Sequence, residues 1–84
     1  MTNLIKLKKE IVYKAQYRGT KEMDILLSNF VKKYIEILDN GDLEDLKTFL
    51  EIEDEIIYNF YFKKGKINKF KNKKILDLFM KFNI

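Results

Sequence analysis

Apolar side chains recur at steps of three and four residues along most of the chain, which is the pattern of helices that bury one face. The clearest case is a central segment whose apolar positions are Met23, Leu26, Leu27, Phe30, Val31, Tyr34, Ile35 and Leu38. An earlier segment, from Thr2 or Asn3 to about Tyr17, repeats the pattern with Leu4, Leu7, Ile11, Val12 and Ala15. The pattern predicts a first helix and a long second helix that serves as the scaffold.

Three shorter segments of helical pattern follow. We expect Asn40-Gly41 to stop the second helix, Asp42 to cap the third, a fourth helix over Glu53 to Phe62, and a fifth over Asn68 to Phe82. The positions predicted to be buried are Leu43, Leu46, Phe49 and Leu50 in the third helix, Ile56, Ile57, Phe60 and Tyr61 in the fourth, and Ile75, Leu76, Phe79 and Phe82 in the fifth. The chain is therefore predicted to be all-α, a compact five-helix bundle that forms one domain over residues 1–84.

The turn between the first two helices contains one of three glycines in a chain without proline. We expect Gly19 to take the left-handed conformation that closes the first helix. Thr20 then has the right residue type for the N-cap of the second helix. Glu22 and Asp24 fall in its first turn, where the helix dipole favours negative charge.

Composition narrows the chemistry that is available. The chain has no cysteine and no histidine, which removes disulfides, thiolate chemistry and the usual base at neutral pH. We therefore expect that the chain is not an enzyme. Residues 1–6 lack the apolar stretch and cleavage site of a secretory signal, and no apolar run is long enough to span a membrane, so we expect a cytoplasmic protein without a membrane partner. We expect the protein to be bacterial. The alternative is that the basic first helix resembles a mitochondrial transit peptide.

Arg18 is the single arginine among seventeen basic residues. It lies in the octet Tyr17–Asp24, which reads Tyr-Arg-Gly-Thr-Lys-Glu-Met-Asp. A guanidinium offers five donors in a planar fork, which an ammonium cannot replace. In one interpretation Arg18 caps the first helix and the acids stabilise the start of the second. In the other, Arg18 projects to a partner's carboxylate or carbonyl, Gly19 lets the partner's backbone approach, and Glu22 orients Arg18 or accepts a donor from the partner.

The octet resembles the Arg-Gly-x-x-Glu-x-Asp signature of the small proteins that assist covalent attachment of FAD to the flavoprotein subunit of succinate dehydrogenase. The similarity extends from about Ile11 to Gly65. Further matches are Phe30 and Tyr34 on the second helix, Asp45–Glu51 for a short third helix, and Ile57–Phe60, which is similar to Leu-Phe-Asn-Trp of that family. Two positions depart from the family pattern: Thr20 replaces a usual methionine, and Phe60 replaces tryptophan.

The resemblance implies binding and not turnover. Members of that family dock on the flavoprotein subunit of succinate dehydrogenase, and often of fumarate reductase, and hold it in a conformation in which a flavoprotein histidine bonds to the flavin. It implies that this chain acts on FAD held by the partner, binds no cofactor or metal stably itself, and is a monomer when free. The residues expected to contact the partner are Tyr17, Arg18, Gly19, Glu22, Asp24, Asn59 and Phe60.

Charge is unevenly distributed along the chain and supports an alternative function. Residues 39–55 contain eight acids and one lysine, whereas residues 56–84 contain eight lysines and one acid. The lysine run Lys63–Lys74, with Phe62 and Phe70 interleaved, is typical of a small basic protein that grips a nucleic-acid backbone. The run has no arginine, which favours a solvated segment instead. Carriage of free FAD is a third alternative, disfavoured because no glycine-rich loop is present to hold phosphate.

Overall fold

The computed structural model describes residues 2–68 and 70–83. The described residues form five α-helices, which confirms the predicted all-α bundle. The helices are α1 (Thr2–Ala15), α2 (Lys21–Tyr34), α3 (Asn40–Phe49), α4 (Asp54–Phe62) and α5 (Lys73–Lys81). Their Cα radius of gyration is 12.0 Å, close to the value of about 12 Å for a compact chain of this length. α1 packs against α2 and α3, and α5 packs against α3 and α4.

α2 begins as the sequence predicts. The hydroxyl of Thr20 accepts a hydrogen bond from the backbone N–H of Met23 at 3.2 Å, which satisfies one of the free donors at the start of the helix. Glu22 and Asp24 lie in the first turn. The buried face of α2 consists of Met23, Leu26, Leu27, Phe30 and Val31. The apolar stripe of this helix therefore lies in the core, as expected from its spacing.

The junction between α2 and α3 differs from the prediction. α2 ends at Tyr34, residues 35–37 form a turn, and the chain bends at Leu38. Asp39, and not Asp42, caps α3, because its Oδ1 accepts the backbone N–H of Asp42 at 2.8 Å. Gly41 consequently lies inside the first turn of α3 and breaks no helix. Both aspartates are good capping residues three positions apart, and the earlier one starts the helix before the glycine.

α5 begins after Asn72 and not at Asn68 as predicted. The side-chain oxygen of Asn72 accepts the backbone N–H of Ile75 at 3.2 Å, which caps the helix. Ile67 and Phe70 lie in the irregular segment before this cap, and both pack against the core. The apolar pattern in this segment therefore reports burial of a loop and not an extra turn of helix.

The aromatic core is centred on Phe79, which is fully buried. The ring centroids of Phe30, Phe49 and Tyr61 lie 5.0, 5.1 and 5.0 Å from that of Phe79. The ring of Phe60 lies nearly parallel to it at 6.2 Å. Offset and edge-to-face contacts of this kind stabilise aromatic clusters beyond simple burial. Phe79 alone thus contacts aromatic rings from α2, α3 and α4.

α4 buries less of its surface than predicted. Ile57 and Phe60 are buried, but Ile56 is 42% exposed. Ile56 is turned about 100° from Ile57 around the helix axis, which directs it away from the core. Tyr61 is half-buried, and its hydroxyl donates a hydrogen bond to the carbonyl of Phe82. A nine-residue helix at the side of the bundle therefore keeps an apolar position in solvent.

A polar clamp joins α3 to the start of α5. The side-chain amide of Asn72 donates to Asp42 Oδ1 at 3.1 Å and to Asp45 Oδ2 at 2.7 Å. The ammonium of Lys74 donates to Asp42 Oδ2 at 2.7 Å. The bonds from Lys74 and then Asn72 hold the pKa of the Asp42 carboxyl below its usual range. The acidic and basic segments of the sequence meet here.

Asp42→Asn is expected to lower the free energy of unfolding at neutral pH but not in strong acid. The folded-state pKa of Asp42 is depressed, so its carboxylate stabilises the fold above the unfolded-state pKa of about 4. This contribution is lost as the pH falls through the folded-state value. Urea unfolding at about pH 7, 4 and 2 measures the difference, with the exposed α5 acid as the control variant Asp77→Asn. A deficit in Asp42→Asn that is equally large at all three pH values would show that the charge of Asp42 is not responsible.

Candidate partner-binding site

The turn between α1 and α2 has its left-handed residue at Tyr17, and not at Gly19 as predicted. The φ angle of Tyr17 is 58°, whereas none of the described glycines has a positive φ. The backbone N–H of Gln16 donates to the carbonyl of Tyr13 at 3.1 Å, which closes the last turn of α1. The prediction failed because glycine is the usual but not the obligatory residue at such a helix end.

The guanidinium of Arg18 is bound by four groups of its own chain. Asp54 Oδ1 accepts hydrogen bonds from Nε at 2.9 Å and from Nη2 at 2.6 Å. Nη1 donates to the carbonyl oxygens of Lys14 at 2.7 Å and Leu50 at 2.9 Å. Nη2 also donates to the carbonyl of Ile52 at 3.4 Å. The Arg18 side chain is only 11% exposed as a result.

These bonds fasten three helix ends together. The carbonyls of Lys14 and Leu50 lie at the C-terminal ends of α1 and α3, where backbone acceptors have no donor within the helix. Asp54 is the first residue of α4, where the helix dipole favours a negative charge. A lysine ammonium lacks the planar fork that reaches a carboxylate and several carbonyls at once. The geometry explains why the chain has its single arginine at this position.

The expectation that Arg18 projects outward is wrong for the side chain, because the guanidinium points into the bundle. Its carboxylate is supplied by Asp54, 36 residues away, and not by the neighbouring Glu22. In the sequence Asp54 is one of three consecutive acids, Glu53–Glu55, and nothing in the pattern marks it as the partner of Arg18. A lone arginine signals that a carboxylate is needed, but helical periodicity does not say which one. Whether Arg18 contributes to partner binding stays a prediction.

Gly19 is exposed, and its backbone N–H donates to Asp54 Oδ2 at 2.8 Å. A Cβ atom added to Gly19 would lie 3.2 Å from the same oxygen, tighter than an ordinary contact. The glycine therefore permits a close approach by the chain's own carboxylate. We call Tyr17, Arg18, Gly19 and Asp54 together the Arg18 corner.

The two acids that follow the corner have different surroundings. Glu22 is exposed in the first turn of α2. Asp24 is half-buried, and its Oδ1 accepts the hydroxyl of Ser28 at 3.3 Å. The same hydroxyl lies 3.2 Å from the carbonyl of Ala15, so Ser28 links the start of α2 to the end of α1. Glu22 is thus presented to solvent, while Asp24 shares the single hydroxyl donor of Ser28 with the carbonyl of Ala15.

An open cleft of about 860 Å³ lies beside the Arg18 corner, along the outer face of α1. Tyr13 and Tyr17 line this cleft, and they are 67% and 77% exposed. Lys6 and Lys9 line its far end. The corner therefore opens onto a surface that combines exposed aromatic rings with positive charge.

Asn59 and Phe60 lie further along α4, about 7.5 to 9 Å from Asp54 by helix rise. Asn59 is half-buried, and its carbonyl accepts the backbone N–H groups of Lys63 and Gly65, each at 2.9 Å. Phe60 is only 7% exposed and belongs to the core. The structure thus assembles Tyr17, Arg18 and Gly19 at one corner and does not add Phe60 to its surface. A contribution of Asn59 or Phe60 to binding stays a prediction, and for Phe60 it would act through packing.

Part of the lysine run is engaged by other residues of the chain, whereas Phe62 beside it is 45% exposed. Lys74 is paired with Asp42, and Lys69 lies outside the described residues. Phe70 is half-buried, with its ring centroid 5.5 Å from that of Phe49. Within residues 2–68 and 70–83, no group of three acids, histidines or cysteines is placed to hold a metal ion.

Comparison with known families identifies the family of the chain that contains this corner. The family model described as "Flavinator of succinate dehydrogenase" (Sdh5) matches residues 9–83. The chain belongs to this family. The match confirms the resemblance found in the sequence and extends it through α5. The Arg18 corner is therefore a feature of a flavinator-family chain.

Curated relatives of this flavinator-family chain carry the name "Succinate dehydrogenase assembly factor 2, mitochondrial". The protein of Debaryomyces hansenii is 35% identical over 72 aligned positions, and the match covers 81% of this chain and 51% of the relative. That of Saccharomyces cerevisiae (strain YJM789) is 31% identical over 84 aligned positions, and the match covers 95% of this chain and 52% of the relative. That of Dictyostelium discoideum is 31% identical over 67 residues, 80% and 48% respectively. The chain thus spans about half the length of the curated relatives it matches, and no solved structure matches it.

The expectation of a bacterial, cytoplasmic protein receives no support from these relatives. The names of these relatives include the word "mitochondrial", and all three organisms are eukaryotes. None of the helices in the described ranges of this flavinator-family chain has the length and apolarity that crossing a bilayer requires.

Proposed function

We propose that the chain is an assembly factor that binds the flavoprotein subunit of succinate dehydrogenase and promotes covalent attachment of FAD to it. Membership of the flavinator family is the observation that carries the proposal. The proposal includes the flavoprotein of fumarate reductase as a second partner. FAD stays on the partner, and the free chain is a monomer.

In this proposal the chain is not itself an enzyme. Its sequence has neither histidine nor cysteine, the residues that most often act as base or nucleophile near neutral pH. The bond-forming chemistry belongs to the flavin and to the flavoprotein. The chain contributes by binding one conformation of the flavoprotein more tightly than the others, which raises the population of that conformation. A tenfold preference corresponds to about 1.4 kcal/mol.

The Arg18 corner suits such a role because it is held rigidly. The Arg18 bonds fix the ends of α1, α3 and α4 relative to one another. A surface that is already ordered loses little conformational entropy when a partner binds. Tyr17 and Gly19 are exposed on this fixed corner, and Glu22 is exposed beside it in the first turn of α2. We propose that the flavoprotein contacts these exposed groups, with Arg18 and Asp54 holding them in place.

Glu22→Ala tests the assignment of the surface. Glu22 makes none of the hydrogen bonds or ion pairs found among the described residues, so its loss should spare the fold. A charged hydrogen-bonding group at the centre of an interface is worth about 2–5 kcal/mol, so we expect dissociation from purified flavoprotein subunit to accelerate by at least about tenfold. The measurement is biolayer interferometry with the immobilised flavoprotein.

The matched control replaces two exposed lysines, Lys71 and Lys73, by glutamine. Charges at the rim of an interface act by long-range attraction, which salt screens over about 8–10 Å. The control should slow association modestly and reduce its salt dependence. Loss of binding in the lysine variant together with unchanged binding of Glu22→Ala would assign the interface to the lysine segment and refute the proposed surface.

A further inference from the structure

Tyr17 keeps a strained backbone and an exposed ring at the mouth of the cleft. Its φ of 58° lies in the left-handed region, which disfavours residues with a bulky side chain. Glycine would fill this position without strain. Tyr17 is nevertheless 77% exposed, so its ring contributes little to the core. A strained residue that the fold does not need points to a function of its side chain.

The ring of Tyr17 is paired with that of Tyr13. The two centroids are 5.5 Å apart with an interplanar angle of 51°. Both rings are exposed and line the same cleft, Tyr13 from α1 and Tyr17 from the turn after it. Exposed tyrosines with a polar tip and an apolar face are the residues that most often anchor protein interfaces.

The charges around these rings leave positive charge uncompensated. Two acids line the cleft, and both are already engaged: Glu10 accepts from Lys47 at 2.9 Å, and Asp54 binds Arg18. Lys14 lies 3.4 Å from Glu51. Lys6 and Lys9 are exposed, and neither forms an ion pair with any residue in the described ranges. Lys6 adds only a weaker attraction to Glu10, whose pKa is lowered chiefly by its bond to Lys47.

From this arrangement we infer that the cleft along α1 is a docking groove for an acidic segment of the flavoprotein, an inference that rests on the proposed function. Carboxylates of the segment pair with Lys6 and Lys9, and an apolar or aromatic side chain packs on the rings of Tyr13 and Tyr17. Charge complementarity selects the occupant. A nucleic acid is a poorer fit, because the one guanidinium that lines the cleft is turned inward.

Tyr17→Gly separates a binding role from a structural one. Glycine relieves the left-handed strain, so the melting temperature should stay equal or rise. The same variant loses the ring, so the Kd for purified flavoprotein subunit should rise by at least about tenfold. Tyr17→Phe keeps the ring and should restore most of the affinity. A residue with only a structural role would show the opposite result, a lower melting temperature with unchanged binding.

Lys6→Glu combined with Lys9→Glu tests the charge, with Lys71→Glu and Lys73→Glu as the matched control. The first pair should weaken flavoprotein binding by at least about tenfold and flatten its salt dependence, and the second pair should have a much smaller effect. If the wild-type chain binds the flavoprotein and both the Tyr17→Gly and Lys6/Lys9 variants bind it equally well, the docking groove is overturned and the proposed function stands. Wild-type chain that does not bind the flavoprotein would overturn both. The choice of occupant would be overturned if single-stranded oligo-dT bound more tightly than the flavoprotein and this binding was lost in the Lys6/Lys9 variant.

Discussion

Arg18→Lys should lower the free energy of unfolding by about 2–4 kcal/mol and reduce covalent FAD on the flavoprotein. A lysine keeps the charge but cannot keep Asp54 and the carbonyls of Lys14 and Leu50 bonded together, so acceptors near the core lose their donors. The value lies below that of a fully buried pair because the Asp54 side chain is 29% exposed. Urea unfolding followed by circular dichroism measures the first effect. Flavin fluorescence of the flavoprotein, measured well below the melting temperature, gives the second.

A double-mutant cycle with Asp54→Asn identifies the pair as the cause. Each single variant should be destabilised, and the double variant should be little worse than either, because both break the same network. The exposed Lys21 at the start of α2 provides the charge-matched control Lys21→Arg, which should change neither measurement. An Arg18→Lys variant that unfolds at the wild-type urea concentration would rule out the brace described for the Arg18 corner.

Phe79→Ala is expected to have the largest effect on stability, about 3–5 kcal/mol. The side chain is fully buried and contacts rings from α2, α3 and α4, so its removal leaves a cavity among groups that cannot all collapse into it. A chain of this length has a total stability of about 4–13 kcal/mol, so the variant loses a large share of it and should melt at a clearly lower temperature. Thermal unfolding by circular dichroism measures the loss.

The neighbouring Met80 provides the control for this variant. Met80 is 48% exposed on the same helix, so Met80→Ala should change the free energy of unfolding by no more than about 0.5 kcal/mol. Equal losses in the two variants would mean that α5 contributes helix propensity and not a packed aromatic centre.

The number of helices and most of the core could be predicted from the sequence because both depend on local spacing. The apolar stripe of α2 and the N-cap at Thr20 each depend on residues close together in the sequence, and both predictions are confirmed. Boundaries that depend on a choice between two similar caps were less secure, as Asp39 and Asp42 show. The start of α5 failed for a different reason, since Phe70 packs against the core from a loop.

The partner of Arg18 could not be predicted from the sequence in the same way. Asp54 is 36 residues away, and the acidic run around it offers three carboxylates of equal standing before the fold is known. The left-handed residue was assigned to Gly19 by frequency alone, whereas the structure places it at Tyr17. In both cases the deciding interaction joins different helices, so it depends on how the bundle packs and not on local pattern.

Because the Arg18 side chain points inward, this residue of the motif holds the corner together. Variants of Arg18 will affect both the order of the corner and whatever binds to it, so binding alone does not identify the contact residues. Tyr17 on the corner and Glu22 beside it separate the two effects, because both are exposed and neither is needed for the core. Stability and binding therefore have to be measured on the same variants.

Covalent FAD on the flavoprotein is the most direct test of the proposed function. The flavoprotein subunit of succinate dehydrogenase is produced in cells that lack their own flavinator, with and without this chain at equal flavoprotein levels. Flavin fluorescence in a denaturing gel then reports only covalently attached FAD. The account predicts a strong fluorescent band with the wild-type chain and a weak band without it or with Glu22→Ala. Equal fluorescence with and without the wild-type chain would contradict the account.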